Sequence, residues 1–256
     1  MNIVEAKKAI PYMIEQFKKC EIHLSENKAK QFYDYYKVLV ETNEVMNLTT
    51  IVEFEEVVMK HFIDSICQFD AVLDYSDEEL EKGLSLIDVG TGAGFPGIPI
   101  KIMYPQINLT LLDSLQKRVE FLKNVAQLLD LKNIKFIHGR AEDIAHEKQY
   151  REKYDIAIAR AVANLATLSE YMIPFVKIEG LSVSMKAGDI EEEVQNAEYA
   201  ITELGGALED IISFVLPETD IERNIIVIRK EEKTNGKYPR KAGTPAKHTL
   251  SAKKIL

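Results

Sequence analysis

An apolar run that ends in a cluster of glycines constrains this chain more than any other stretch of its sequence. The run spans Leu84–Val89, four of the next eight residues (Gly90–Gly97) are glycine, and apolar residues then recur at helical spacing. Glycine has no Cβ, so it accepts positive φ angles and lets a ligand approach the backbone closely. The sequence therefore predicts a short buried strand, then a ligand-binding turn, then a helix.

Strand patterns alternate with helical patterns from this run onward. Apolar stripes at residues 115–129 and 190–204 predict two helices. The predicted strands are Leu84–Val89, Asn108–Leu112, Ile134–His138, Tyr154–Ala159, Leu181–Met185, Ile211–Leu216 and Asn224–Arg229. Such alternation is typical of a mostly parallel, doubly wound α/β sheet. Only residues 217–223 separate the last two strands, which is too short for a helical crossover, so they should form an antiparallel hairpin.

Three segments differ in pattern. Residues 1–82 are predicted to form a helical cap packed on the next domain, because apolar residues repeat at helical spacing and Ser25 is a suitable N-cap. Residues 83–230 hold the alternating strands and helices and form the predicted core. Residues 231–256 form a basic tail.

Charge is distributed unevenly along the 256 residues. The net charge is −9, yet residues 229–256 carry nine Lys or Arg against two Glu. Cysteine occurs only twice, which excludes a disulfide framework and any CxxC metal spacing. The sequence shows neither a signal-peptide pattern nor an apolar segment of membrane-spanning length. We therefore expect a soluble cytoplasmic protein, monomeric by default, with a basic tail that needs explaining.

The glycine turn alone does not identify its ligand. The pattern Gly92-x-Gly94-x-x-Gly97 matches a dinucleotide fingerprint, which is weak evidence for any one cofactor. Asp113 ends the second predicted strand, where a carboxylate can accept hydrogen bonds from the hydroxyls of an adenosine ribose. Both NAD and S-adenosylmethionine contain that ribose.

A third motif separates the two cofactors. Residues 139–143, which include Ala141 and Glu142, follow the third predicted strand, where a carboxylate or backbone group can meet an adenine amine. Three such positions on consecutive strands suit a ligand with methionine, ribose and adenine parts. A nicotinamide enzyme also needs a region that places a hydride acceptor, and the sequence contains no such constellation. The residues therefore favour S-adenosylmethionine over NAD.

Several motifs along nearly the whole chain carry a more specific resemblance. They are Asn47–Thr49, Lys60–Ser65, Ile87–Pro99, Leu111–Arg118, Arg140–Glu142, Ala159–Ala161 and Tyr238–Pro245. In these motifs the chain resembles the RsmG (GidB) family of small-subunit ribosomal RNA methyltransferases. The resemblance implies a class I S-adenosylmethionine-dependent methyltransferase fold, Rossmann-like, with a seven-stranded sheet whose last strand is antiparallel. It also implies methyl transfer to N7 of one guanine in 16S ribosomal RNA.

The resemblance also implies site residues. The expected cofactor-binding residues are Gly90, Gly92, Phe95, Asp113, Ala141, Glu142 and Arg160. Guanine N7 has an in-plane lone pair and no proton, so the reaction needs positioning rather than a general base. Arg160 and His61 are the candidates for that positioning. Their simpler interpretations are a surface arginine closing a strand and a polar residue on the edge of an apolar helical stripe.

No metal site is expected, since His138, Glu142, Asp143 and His146 match no recognised ligand spacing. For RNA binding the candidates are Lys186, Lys237, Tyr238, Arg240, Lys241 and Lys247. The tail could lie extended along phosphates with Tyr238 stacked on a base, or it could be a disordered solubility tail. The expected partner is 16S ribosomal RNA within a small subunit or its precursor. Two other functions stay open: a methyltransferase for a small metabolite, and a non-catalytic RNA-binding assembly factor.

Overall fold

The computed structural model describes residues 3–73, 82–160 and 162–251. Predictions that concern residues 74–81, residue 161 and residues 252–256 lie outside these ranges. No helix within the described ranges is both long and apolar enough to cross a membrane.

Helices occupy the N-terminal part of the chain, as the apolar periodicity predicts. They are α1 (Ala6–Lys19), α2 (Glu26–Met46), α3 (Phe54–Val57), a π-helical segment (Val58–Ile63) and α4 (Asp64–Asp70). The predicted N-cap is confirmed, because the Ser25 side chain accepts a hydrogen bond from the backbone N–H of Lys28. The last three elements form one continuous helix, interrupted by a π-helical turn of the kind often found at functional sites.

A seven-stranded sheet follows, in the order β3-β2-β1-β4-β5-β7-β6. Its strands are β1 (Ser85–Val89), β2 (Asn108–Asp113), β3 (Ile134–His138), β4 (Tyr154–Arg160), β5 (Val176–Lys186), β6 (Gly206–Val215) and β7 (Glu222–Lys230). The first five strands pair in parallel, and β7 is antiparallel to both of its neighbours. The predicted sheet class and the antiparallel hairpin are both confirmed.

The connecting helices are α5 (Gly97–Met103), α6 (Gln116–Leu128), α7 (Ala141–Ile144), α8 (Leu165–Met172) and α9 (Glu191–Glu203), and a last short helix, α10, spans Thr244–Lys247. Sequence periodicity missed α8. Seven of its eight residues are buried, so it lacks the polar face that makes a helix visible as a period. Strand β6 begins five residues earlier than predicted, because its first half lies at the edge of the sheet and does not alternate between apolar and polar residues.

One apolar core joins the N-terminal helices to the sheet. Aromatic rings run through it from α1 to the glycine turn, with centroid separations of 5.3 Å for Phe17–Phe32, 4.8 Å for Phe32–Phe62 and 5.6 Å for Tyr35–Phe62. The last contact joins Tyr35 to Phe95, at 5.4 Å. The helical cap therefore packs directly against the turn on which the sequence analysis centred.

Candidate cofactor and acceptor sites

The glycine turn leaves β1 in a backbone conformation that suits glycine. Gly90, Gly92 and Gly94 have φ angles of +74°, +61° and +103°. A Cβ on Gly94 would lie 2.7 Å from the Tyr35 hydroxyl, whereas a Cβ on Gly92 would have no neighbour nearer than 4.0 Å. Gly94 is thus required for packing on the cap, and Gly92 leaves open space at the backbone for a ligand.

Tyr35 fixes the turn from the cap side. Its ring is fully buried, and its hydroxyl donates a hydrogen bond of 2.5 Å to the carbonyl oxygen of Ala93. The turn is therefore held by a side chain 58 positions earlier in the sequence.

Asp88 fixes the same turn from the sheet side. Its Oδ2 accepts hydrogen bonds from the Thr91 hydroxyl at 2.7 Å and from the Gly97 backbone N–H at 2.9 Å. Burial raises the pKa of this carboxyl to about 6. Oδ1 is buried without a partner among the described residues. Sequence reasoning did not select Asp88, although a carboxylate inside an apolar strand, two residues before Gly90, was the available signal.

Asp113 ends β2 and closes the turn from the opposite side. Its Oδ2 accepts from the Gly92 N–H and its Oδ1 from the Leu115 N–H, both at 2.9 Å, and the side chain is 3% exposed. Each carboxylate oxygen can accept more than one hydrogen bond, so both can still accept from a ligand. Arg118 Nη1 lies 3.6 Å from Asp113 Oδ2, and its positive charge offsets the negative charge of the carboxylate.

We name the space beside Asp113 the donor cavity. It has a volume of about 350 Å³ and lies along the ends of β1, β2 and β3, with Gly90, Asp113, Arg118, Ala141, Glu142 and Arg160 among its lining residues. The three positions singled out in the sequence thus come together. Arg118, which helical periodicity places on a solvent face, also lines this cavity. Of the two adjacent carboxylates after β3, Glu142 lines the cavity, whereas Asp143 is exposed and does not.

His61 and Arg160 meet over the ring of Phe95. The imidazole stacks on the phenyl ring with centroids 4.2 Å apart and planes 20° apart, and the Arg160 guanidinium lies 5.1 Å from the same centroid. Arg160 Nη2 lies 3.1 Å from His61 Nδ1. The π-helical turn of Val58–Ile63 presents His61 from the cap, and β4 presents Arg160 from the core.

Both nitrogens of His61 have partners within the protein. Nδ1 lies 3.1 Å from Arg160 Nη2 and 3.2 Å from the Lys60 carbonyl oxygen, and Nε2 lies 2.9 Å from the Thr49 hydroxyl. A guanidinium only donates and a carbonyl only accepts, so the two contacts of Nδ1 require opposite protonation states of that nitrogen. Burial, reinforced by the positive charge of Arg160, lowers the pKa of His61 to about 3. The imidazole is therefore neutral at physiological pH, and it lies beside the Arg160 guanidinium over the ring of Phe95.

We expect the His61 imidazole not to titrate between pH 8 and pH 6. Histidine Cε1 chemical shifts in ¹³C-labelled protein test this, with His61→Gln used to assign the signal. Because the pKa of His61 is lower in the folded than in the unfolded chain, its contribution to stability is present above about pH 6.5 and is lost as the pH falls toward 3. A His61 signal that moves with a midpoint near 6.5 would contradict the lowered pKa of this buried imidazole.

Asp64 connects the cap to two arginines of the core. Its Oδ2 lies 3.3 Å from Arg160 Nη1 and 3.2 Å from Arg223 Nη2, and its Oδ1 accepts from Arg223 Nε at 2.7 Å and from the Gln68 amide at 3.0 Å. The carboxylate is 1% exposed, and the two arginine side chains are 16% and 15% exposed. This buried, hydrogen-bonded cluster fixes the position of both guanidinium groups.

We name the space above this cluster the acceptor cavity. Its volume is about 360 Å³, and its lining includes Thr49, His61, Asp64, Phe95, Lys186 and Arg223. It shares Gly90 and Arg160 with the donor cavity. Two ligand-sized spaces therefore meet at the glycine turn, one of them lined partly by the cap.

The predicted RNA-binding residues are placed differently from one another. Lys186 donates to the carbonyl oxygen of Ala163 and to Glu193, with the second bond at 2.7 Å. Lys237 pairs with Glu203 at 2.9 Å. Lys241 and Lys247 are exposed.

Tyr238 and Arg240 do not project from the tail as free side chains. Tyr238 is 6% exposed and packs in an apolar cluster, so its ring is not available to stack on a base while the tail is in this position. Arg240 is bound to the buried carboxylate of Glu170. The tail is thus an ordered segment as far as residue 251, and neither the extended nor the disordered alternative describes it.

The sheet order, the glycine turn after β1 and the carboxylate after β2 together define the class I S-adenosylmethionine-dependent methyltransferase fold. The residues present fit that cofactor, since Asp113 keeps acceptor capacity on the wall of the donor cavity and the backbone at Gly92, where the acceptor cavity begins, is open to a ligand. Among the described residues, no group of three or more His, Cys, Asp or Glu side chains could hold a metal ion.

Comparison with known proteins identifies the family. The model of the GidB family, rRNA small subunit methyltransferase G, matches residues 28–226, and the chain belongs to this family. Ribosomal RNA small subunit methyltransferase G of Acetivibrio thermocellus is 50% identical over 230 residues, which cover 90% of this chain and 92% of the relative. The Bacillus cytotoxicus protein of the same name is 48% identical over 238 residues, covering 91% and 97%. The resemblance seen in the sequence motifs is confirmed.

Solved structures extend the likeness of the fold to distant sequences. A crystal structure of an MtNAS mutant superposes with a TM-score of 0.53 at 12% identity, over 90% of this chain and 83% of the other. At this identity the likeness concerns the fold alone.

Proposed function

We propose that this chain transfers the methyl group of S-adenosylmethionine to N7 of one guanine in 16S ribosomal RNA of the small subunit. The observation that carries the proposal is the meeting of the two cavities at Gly90 and Arg160. The donor cavity has residues suited to adenosine, and the acceptor cavity has room for a base. Family membership supports a small-subunit ribosomal RNA as the substrate.

When bound, S-adenosylmethionine supplies a methyl group on a positively charged sulfur. Asp113 would hold the ribose, Glu142 the adenine amine, and the glycine turn the methionine part. Gly90 lines both cavities, so a methyl group held beside it would face the acceptor cavity. Holding two reactants in line in this way can lower a barrier by about 7–11 kcal/mol.

The acceptor cavity contains no side chain set up as a general base, and the proposed reaction requires none. His61 is neutral, but its Nδ1 already contacts Arg160 and the Lys60 carbonyl oxygen, and its Nε2 contacts the Thr49 hydroxyl. In transfer to N7, the nitrogen lone pair forms the new N–C bond while the C–S bond breaks. The positive charge passes from sulfur to the purine, and no proton leaves.

The charge of the acceptor cavity suits a nucleotide. Lys60, Arg160, Lys186 and Arg223 line it together with one carboxylate, Asp64. Lys60 also pairs with Glu56 and Lys186 with Glu193, so four cations meet three carboxylates in a chain whose net charge is −9. This small surplus of positive charge lies where a phosphate of the acceptor nucleotide would approach. The other predicted candidates, a small-metabolite enzyme and a non-catalytic assembly factor, have no specific observation in their favour.

We further propose that the substrate is an assembled small subunit or its precursor. The acidic body repels free RNA, and the exposed cations Lys241 and Lys247 form only a small contact surface. A structured particle would present the target loop in the orientation that the acceptor cavity needs. A ribosomal RNA substrate agrees with the cytoplasmic location expected from the sequence, which stays a prediction.

Purified enzyme, S-adenosylmethionine and small subunits from cells that lack the modification test both proposals. We expect mass spectrometry of the digested RNA to reveal one 7-methylguanosine, and borohydride reduction followed by aniline cleavage to locate it at a single position. Naked 16S transcript, incubated in parallel, should be methylated much more slowly.

Each negative outcome contradicts a different part of the proposal. Methylation at another guanine atom would rule out N7 chemistry, and equal rates on transcript and subunits would rule out the particle as the preferred substrate. If no methylated nucleoside forms on either RNA while the enzyme binds S-adenosylhomocysteine, the ribosomal RNA assignment itself fails.

A further inference from the structure

Residues 231–251, here named the C-terminal strap, pack along the core from the end of β7 to the donor cavity. At its start, Thr234 is held from three sides. Its hydroxyl donates to the Leu204 carbonyl oxygen at 2.6 Å and accepts from the buried Lys230, and its N–H donates to Glu152 at 2.9 Å. The strap is therefore anchored in the core at its first turn.

Arg151 binds the next part of the strap through backbone atoms. Its guanidinium donates to the carbonyl oxygens of Thr234 at 2.8 Å, Asn235 at 3.2 Å and Tyr238 at 2.9 Å. His146 adds a hydrogen bond of 2.7 Å to the carbonyl oxygen of Pro239. Because these bonds are to the backbone, they recognise the path of the strap rather than its side chains.

A buried ion pair holds the middle of the strap. Glu170, on α8, is completely buried, and both of its oxygens are bound by Arg240 through the backbone N–H at 2.7 Å, Nε at 3.0 Å and Nη2 at 2.7 Å. A buried carboxylate with all of its bonds to one partner depends strongly on that partner. The strap position is therefore coupled to α8.

Three residues further on, the strap reaches the donor cavity. The backbone N–H of Gly243 donates a hydrogen bond of 2.8 Å to Oε1 of Glu142. Glu142 lines that cavity and is 5% exposed. Its Oε2 makes no hydrogen bond within the described part of the chain, so it is the oxygen left to accept from a ligand.

We propose that the C-terminal strap is part of the cofactor site, and that Gly243 is a positioning residue which orients Glu142 toward the adenine of S-adenosylmethionine. Docking of the strap and binding of the cofactor are then coupled, since each stabilises the same orientation of Glu142. The proposal rests on the cofactor assigned above. It gives the tail a second role besides the RNA contacts of Lys241 and Lys247.

Coupling of this kind is reciprocal and can be tested on the unmodified protein. Trypsin cuts after Lys241 and Lys247 when the strap undocks, so saturating S-adenosylhomocysteine should slow these cuts. One hydrogen bond to a charged group corresponds to about a tenfold effect. We therefore expect about tenfold slower cleavage in the strap and an unchanged rate after Lys19, at the end of α1 and far from the donor cavity.

Variants test the same coupling from the other side. Arg240→Gln releases the strap but also leaves the buried Glu170 carboxylate without its partner, which lowers the stability of the protein. The double variant Glu170→Gln/Arg240→Gln removes that charge as well, so it tests undocking of the strap alone. For the double variant we expect the Kd of S-adenosylhomocysteine, measured without RNA by calorimetry, to rise about tenfold. Lys233→Ala removes one exposed positive charge from the same strap and should leave the Kd unchanged. Val125→Ala truncates a buried side chain on α6, so it lowers stability without touching the strap and controls for a general loss of stability.

The outcomes separate the strap proposal from the proposed function. If the protein binds S-adenosylhomocysteine tightly but the ligand does not change the rate of tryptic cleavage in the strap, the strap proposal alone is overturned. An unchanged Kd in the folded double variant would do the same, and so would an equal rise in Val125→Ala. Failure of the unmodified protein to bind S-adenosylhomocysteine would overturn the cofactor assignment and the strap proposal together.

Discussion

Replacing Asp113 by alanine is expected to lower kcat/KM for S-adenosylmethionine by about 10²–10⁴-fold, which is the largest effect on activity that the structure predicts. Two charge-assisted hydrogen bonds to the ribose would be lost, each contributing about 1.5–3 kcal/mol. The substitution also removes the acceptor for the N–H groups of Gly92 and Leu115. The glycine turn would then lose the bond that holds it toward β2.

Two variants make this experiment specific. Asp113→Asn has the same shape but can present only one acceptor oxygen, so it should fall between the wild type and Asp113→Ala. Asp143→Ala removes a carboxylate of the same type that is exposed outside the donor cavity, and it should retain activity. The rate of methyl incorporation and the Kd of S-adenosylhomocysteine are the measurements. Full activity in a folded Asp113→Ala protein would show that the ribose is bound elsewhere.

Replacing Asp64 by alanine is expected to lower the free energy of unfolding by about 3–5 kcal/mol. The carboxylate is 1% exposed and is the shared partner of Arg160 and Arg223. Its removal leaves two guanidinium groups close together in a poorly solvated site without a compensating charge. The same change should also slow methyl transfer, because both arginines line the acceptor cavity.

A double-mutant cycle separates the ion pair from the loss of packing. Urea unfolding of Asp64→Ala, Arg223→Met and the combined variant gives the coupling energy of the pair. We expect the combined variant to be more stable than Asp64→Ala alone, because it no longer contains an unpaired Arg223. If the two losses simply add, the residues do not interact across the boundary between cap and core as the structure indicates.

Much of the fold could be predicted because burial imposes a period on the sequence. The predicted strand Leu84–Val89 corresponds to β1, and the apolar stripe at residues 115–129 corresponds to α6, each within one residue at either end. Prediction failed where burial leaves no contrast between faces. Helix α8 is buried nearly all round, and the first half of β6 (206–210) runs from small and apolar residues to two carboxylates without alternating, so neither shows a period.

The candidate site likewise has one part that local sequence patterns predict and one part that they do not. The sequence by itself determined the donor side: a strand, a glycine turn and carboxylates at the ends of the next strands are local patterns, and parallel strands place their ends at one edge of the sheet. Only the tertiary structure decided the rest. Tyr35 and Asp64 reach the site from the cap, Arg223 from the last strand and Gly243 from the strap, at separations of up to 159 residues for an ion pair and 101 for a backbone bond. Contacts between such distant positions depend on packing geometry, which leaves no local period. The turn at Gly90 can therefore be predicted from the sequence, whereas the groups that hold it in place are found only in the folded chain.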